Sequence, residues 1–154
     1  MTFKLFSRVL TAAVIGGLAL SAGACSLFSP PEYRDPDGRI TAAASIDSSA
    51  LKTGDCIVSV SDLSDEITKL AVVPCSEAHE GEVYAVGEGL ANDKATLEEF
   101  CTAQFEPYIG IGWEDSQLSA TYIHSSQSKA TTDVQCIVYS EGVMVMQSYR
   151  GSQQ

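Results

Sequence analysis

Short apolar alternations bounded by turn residues run through most of this chain after its first third. Residues 56–60 (opened by Thr53-Gly54-Asp55), 70–75, 82–86, 118–123, 134–139 and 143–149 are each rich in β-branched or aromatic side chains and predict strands. The polar stretch 61–69 predicts a turn between the first two. Within 82–86 the alternation places Val83 and Ala85 on one side and Glu82, Tyr84 and Val86 on the other. The last two strands flank Ser140-Glu141-Gly142, which predicts a hairpin. One segment has a different period: Leu97, Phe100, Cys101, Gln104, Phe105 and Tyr108 recur at helical spacing and make one mostly apolar stripe. Thr96 with Glu99 three residues on predicts a capping box, in which side chains satisfy amides the first helical turn leaves free. Pro107 and Gly110 predict the helix end. The class that follows is α+β, a small mostly antiparallel sheet with one amphipathic helix packed on a face.

The N-terminus carries another pattern. Lys4 and Arg8 precede an apolar run over 9–20, which is shorter than the roughly 20 residues a helix needs to cross a bilayer. Small residues Ala22, Gly23 and Ala24 then lead into Cys25. Residues 1–24 therefore read as a secretory signal peptide, and a cysteine directly after the cleavage point marks a bacterial lipoprotein. The Cys25 thiol would take diacylglycerol and become the mature N-terminus, anchoring the protein at the extracytoplasmic face of the cell membrane. Residues 25–50, with Pro30, Pro31, Asp35-Pro36-Asp37-Gly38 and then Ala and Ser, read as a flexible linker. The folded domain is expected over 51–152.

Export decides how Cys56, Cys75, Cys101 and Cys136 are read. In an oxidising compartment an even set of cysteines predicts disulfides. Zinc is disfavoured by spacing, because no two of the four form a C-x₂₋₄-C knuckle. Four cysteines allow three pairings. Cys101 lies on the apolar helix stripe and Cys136 alternates with Val134 and Val138 on one strand face, which favours Cys101–Cys136. Cys56 and Cys75 then join two strands that are near in sequence. Each loop closure is worth roughly 3–4 kcal/mol, a useful addition to a modest core.

The net charge is −11, and loss of Lys4 and Arg8 takes the mature chain to roughly −13. Such a surface repels nucleic acid, so no nucleic-acid partner is expected.

Candidate chemistry is sparse. His79 stands among Glu77, Glu80 and Glu82, where an imidazole beside carboxylates can bind a metal or act as a base. The competing readings are a hydrogen bond across the turn before the third strand, or contact with a partner. The other histidine, His124, is far along the chain. No serine stands in G-x-S-x-G, and Ser125-Ser126-Gln127-Ser128 reads as a solvated loop. Gly87-Glu88-Gly89 lies between strand and helix, but Asn92 stands where a dinucleotide loop needs its third glycine. Trp113, after Ile109-Gly110-Ile111-Gly112, either anchors a partner or covers the core edge.

Several of these residues together resemble the septum-formation domain of actinobacterial envelope proteins and lipoproteins. The matching elements are Gly54-Asp55-Cys56 and Val73-Pro74-Cys75-Ser76-Glu77-Ala78-His79-Glu80-Gly81-Glu82-Val83. A helix bearing Cys101 and Phe105 follows, then Cys136-Ile137-Val138-Tyr139 and Ser148-Tyr149-Arg150-Gly151. The resemblance implies a non-enzymatic envelope domain linked to septum formation, with an envelope or division protein as partner. Together these readings predict a lipid-anchored interaction module without cofactor or metal, whose candidate contact residues are His79, Glu80, Glu82 and Trp113. The alternative is an envelope enzyme or metal-binding domain centred on His79.

Overall fold

The structure, a computed structural model, describes residues 33–61, 63, 68–126 and 130–154. The expected signal peptide, Cys25 and the first part of the expected linker lie outside the described residues. So do most of the 61–69 turn and Gln127 and Ser128 of the serine loop.

The strands are β1 (Ala44–Asp47), β2 (Cys56–Ile57), β3 (Lys69–Val73), β4 (Gly81–Ala91), β5 (Ser119–Ser126) and β6 (Thr131–Tyr139). The helix α1 (Lys94–Ile109) connects β4 to β5. The strands lie in the order β1-β3-β2-β4-β6-β5, every neighbouring pair antiparallel. The α+β class is as expected, and so are both disulfides. Cys56 pairs with Cys75 and Cys101 with Cys136, with Cα–Cα separations of 5.3 and 5.6 Å.

Both faces of this sheet are apolar. Val134, Cys136 and Val138 of β6 point to one face, where Leu97, Cys101, Phe105, Tyr108 and Ile109 of α1 cover them. Ile137 points to the other, where it meets Val83, Ile123, Ile57 and Val72. That second face is closed by the chain before β2: Ile40, Ile46 and Leu51 are buried on it, with Tyr33 packed alongside. A strand buried on both faces reads as a nearly continuous apolar run, as Val134 to Val138 does apart from Gln135.

Four expectations change. Described residues 33–50, read as part of the linker, form a strap on the second face, with β1 pairing β3 from Ala44↔Val72 to Asp47↔Lys69. The physical reason is that α1 covers only one apolar face, and the other needs its own cover. The strap is locked by Arg34, whose Nη1 and Nη2 each donate to one Asp55 carboxylate oxygen at 2.7 Å. The guanidinium also donates to the Gly38 and Ala50 carbonyls, and Lys52 N–H donates to Asp55.

The second change is the hairpin. Residues 143–149 form no strand with β6, because both edges of β6 are already taken by β4 and β5. The segment instead makes one bridge, Val145 to His79, and then delivers Tyr149 to the helix-covered face.

The third is the parity of β4. A register shift between Val83 and Ala85 puts Tyr84 and Ala85 on the helix side together, while Val83 and Val86 share the other side.

The fourth concerns the helix ends. The cap is Asp93, whose carboxylate accepts from Thr96 N at 3.0 Å and Thr96 Oγ1 at 2.8 Å. These hydrogen bonds hold the Asp93 carboxyl below its ordinary pKa. Asp93 already supplies an oxygen to the free amides, so the helix begins two residues before Thr96. Pro107 lies inside α1 rather than ending it. Gly110 closes the helix in the left-handed region at φ 92°, its N–H donating to Glu106 O at 2.8 Å.

Candidate functional site

His79 is built into the base of the sheet. A turn in which Glu77 N–H donates to Pro74 O at 2.8 Å carries the chain from Cys75 round to His79. The His79 backbone then exchanges two hydrogen bonds with Val145, at 3.0 and 2.8 Å, and Glu80 N–H donates to Ile57 O at 3.1 Å. The imidazole is 0 % exposed. Its Nδ1 lies 2.8 Å from the Glu77 carbonyl oxygen, and its Nε2 is buried without a hydrogen-bond partner among the described residues. Because a carbonyl only accepts, Nδ1 carries a proton, and in the neutral ring Nε2 then holds the lone pair. The hydrogen bond across the turn expected from the sequence is present.

The three acidic neighbours do not gather round this ring. Glu77 contributes its backbone carbonyl, and Glu80 accepts from Val60 N–H at 2.7 Å. Glu82, 1 % exposed, turns to the helix-covered face. There it accepts from Tyr108 Oη at 2.5 Å, Ser148 Oγ at 2.7 Å and Tyr149 N–H at 2.6 Å. Tyr149 Oη donates to Glu80 O at 3.2 Å, so this group fastens the C-terminal segment to the start of β4. Burial and the nearby Glu82 charge push the Tyr108 hydroxyl pKa up. Arg150 lies over the Tyr108 ring at 4.4 Å. As candidate contact residues His79 and Glu82 are thereby corrected: both are enclosed, and Glu80 is half-buried with its carboxylate occupied.

What does gather round His79 is sulfur. A ring nitrogen of His79 and the Sγ atoms of Cys56 and Cys75 lie within 4.8 Å of one another. Cys75 and His79 are separated by three residues, a short ligand-type spacing that a cysteine–cysteine knuckle pattern does not contain.

Trp113 occupies a different region. Its ring stands edge-on to Phe105 at 5.0 Å, so it covers the core edge, yet it remains 42 % exposed. It forms one wall of a cleft of about 440 Å³ between α1 and β5. Tyr84, Phe105 and Tyr122 add aromatic surface, and Glu98, Thr102 and Thr121 add polar groups. Tyr84 Oη donates to Cys101 O at 3.0 Å, and burial pushes its pKa up. Cys101, in its disulfide to Cys136, also lines this cleft and ties α1 to the middle of the sheet. β5 ends the sheet on this side. Tyr84, Glu98, Thr102, Thr121 and Tyr122 were not legible as site residues, because they come from β4, α1 and β5 and only the tertiary fold brings them together.

His124 lies on β5 with its ring 6.2 Å from that of Tyr122. Among the described residues no helix is long and apolar enough to cross a membrane. No family model matches the chain, and no match is found among curated proteins or solved structures.

Proposed function

We propose that the protein is a lipid-anchored interaction domain of the cell envelope, without catalytic activity, held to the membrane through Cys25. The observation that carries this reading is the aromatic cleft between α1 and β5. It combines an exposed Trp113, three further rings and a few polar groups beside β5, the last strand of the sheet among the described residues. Concave aromatic surfaces with sparse polar groups suit binding, and a terminal strand can accept an extended segment of another protein. The partner is then a protein of the envelope or division machinery, which agrees with the resemblance to septum-formation domains. The acidic chain and its two disulfides suit an extracytoplasmic setting.

The anchor is tested with Cys25→Ala. This change is expected to abolish acylation and shift the protein from the detergent phase to the aqueous phase, or to leave uncleaved precursor. A mature N-terminus mapped elsewhere, with no acyl mass, would remove the lipoprotein from the account.

A further inference from the structure

We infer that Cys56, Cys75 and His79 form a redox-gated site for a thiophilic divalent cation such as Zn²⁺, closed while the disulfide is intact and opened by its reduction.

The donor set is that of a zinc centre: two thiolates and one imidazole, with a fourth position left to water. Zn–S bonds near 2.3 Å and Zn–N bonds near 2.0 Å place tetrahedral donors roughly 3.5–3.8 Å apart. The three ligand atoms already lie within 4.8 Å of one another, so little movement is needed beyond separating the sulfurs. His79 is prepared in the way metal-bound histidines are. The Nδ1–H bond to Glu77 O fixes the tautomer, and the lone pair on Nε2 has no hydrogen-bond partner among the described residues.

The frame does not depend on the disulfide. His79 is held by its two backbone bonds to Val145, and Glu80 by its bond to Ile57. Cys56 sits in β2 between β3 and β4, opposite Val73 and Glu82. Cys75 is positioned by the turn closed through Pro74 and Glu77. The backbone carrying the three ligands thus has hydrogen bonds of its own besides the disulfide.

Access is asymmetric as well. Cys75 is half-buried, whereas Cys56, Cys101 and Cys136 are buried. A dithiol reductant attacks Cys75 Sγ as thiolate, forming a mixed disulfide and releasing Cys56 as the leaving thiolate. The second reductant thiol then resolves the mixed disulfide. Two electrons pass to the protein pair and the reductant departs as its own disulfide. Zinc binding displaces the remaining thiol protons to solvent.

The test uses purified protein, oxidised or reduced with dithiothreitol that is then removed under nitrogen. Zn²⁺ is titrated in competition with a chromophoric chelator, and cysteines are mapped by alkylation with and without Zn²⁺. The oxidised protein is expected to bind no zinc tightly, and the reduced protein one ion per chain. Zinc should protect Cys56 and Cys75 from alkylation and leave the reactivity of Cys101 and Cys136 unchanged. His79→Gln should weaken zinc binding about tenfold or more while the two thiolates remain. The protection pattern is read on the unsubstituted protein, so it holds even where the variant misfolds. Absence of binding after reduction, equal protection of all four cysteines, or full affinity in folded His79→Gln protein would each overturn the inference.

Discussion

The two faces of the sheet solve the same burial problem with different covers. One face is closed by α1, a regular helix whose side chains interlock with β4 and β6 and whose crossing leaves the Trp113 cleft. The other is closed by an irregular strap, residues 33–51, that has one short strand and depends on a buried Arg34–Asp55 pair. The helix satisfies its own backbone, so it needs only an apolar stripe. The strap cannot, and its polar groups must find partners one by one.

The sharpest way to break that contrast is Arg34→Ala. Asp55 would be left buried and charged without its cation, a loss of about 3–5 kcal/mol. Urea unfolding should register that loss, and amide exchange should rise first over residues 33–51. A variant with unchanged stability would show that the strap is held by its apolar contacts alone.

Alkaline pH should act on the opposite face. Tyr84, Tyr108 and Tyr149 are all raised above the ordinary tyrosine pKa of 10.0, chiefly because burial disfavours phenolate. A folded-state pKa above the unfolded value gives stability that is complete below the unfolded pKa. It is then lost as pH rises through the folded one. Stability from these groups should therefore hold up to about pH 10 and fall above it. Amides of α1 should be exposed before those of the strap, where proximity to Asp55 raises the Arg34 pKa further and keeps it charged. Simultaneous loss of both faces would mean that the two covers are one cooperative unit.

The smallest effect concerns the helix start. Asp93→Ala should loosen the first turn of α1, seen as faster exchange at Thr96 and a slight fall in melting temperature. Glu99→Gln should change neither, since the cap is Asp93. The reverse outcome would restore the capping box read from the sequence.

These cases also show what could be read in the sequence. The helix, the antiparallel sheet and both disulfides follow from local periods, because 97–108 and 134–139 each repeat over enough residues to fix a face. The strap does not: Tyr33, Arg34, Ile40, Ile46 and Leu51 have no common period, and the prolines and serines around them look like a linker. Only the demand of a second apolar face gives them a place. Residues 143–149 fail for a related reason. Their alternation is strand-like, but no edge of β6 is free to receive them. The bulge at Tyr84 shifts parity without any local signal. At the site, His79 was legible as unusual, but its carboxylate neighbours in sequence point elsewhere in space. Its real neighbours are the sulfurs of Cys56 in β2 and of Cys75 in the turn after β3.

The cleft between α1 and β5 is the proposed contact surface. Site-specific photo-crosslinking in intact cells tests it most directly, with the reactive side chain placed at Thr102 or Thr121 in the cleft and, for comparison, at Lys52 beyond the strap. A discrete protein adduct is expected from the cleft positions, lost when Trp113→Ala is added, and none from Lys52. Adducts of equal yield from both faces, or from Lys52 alone, would contradict it.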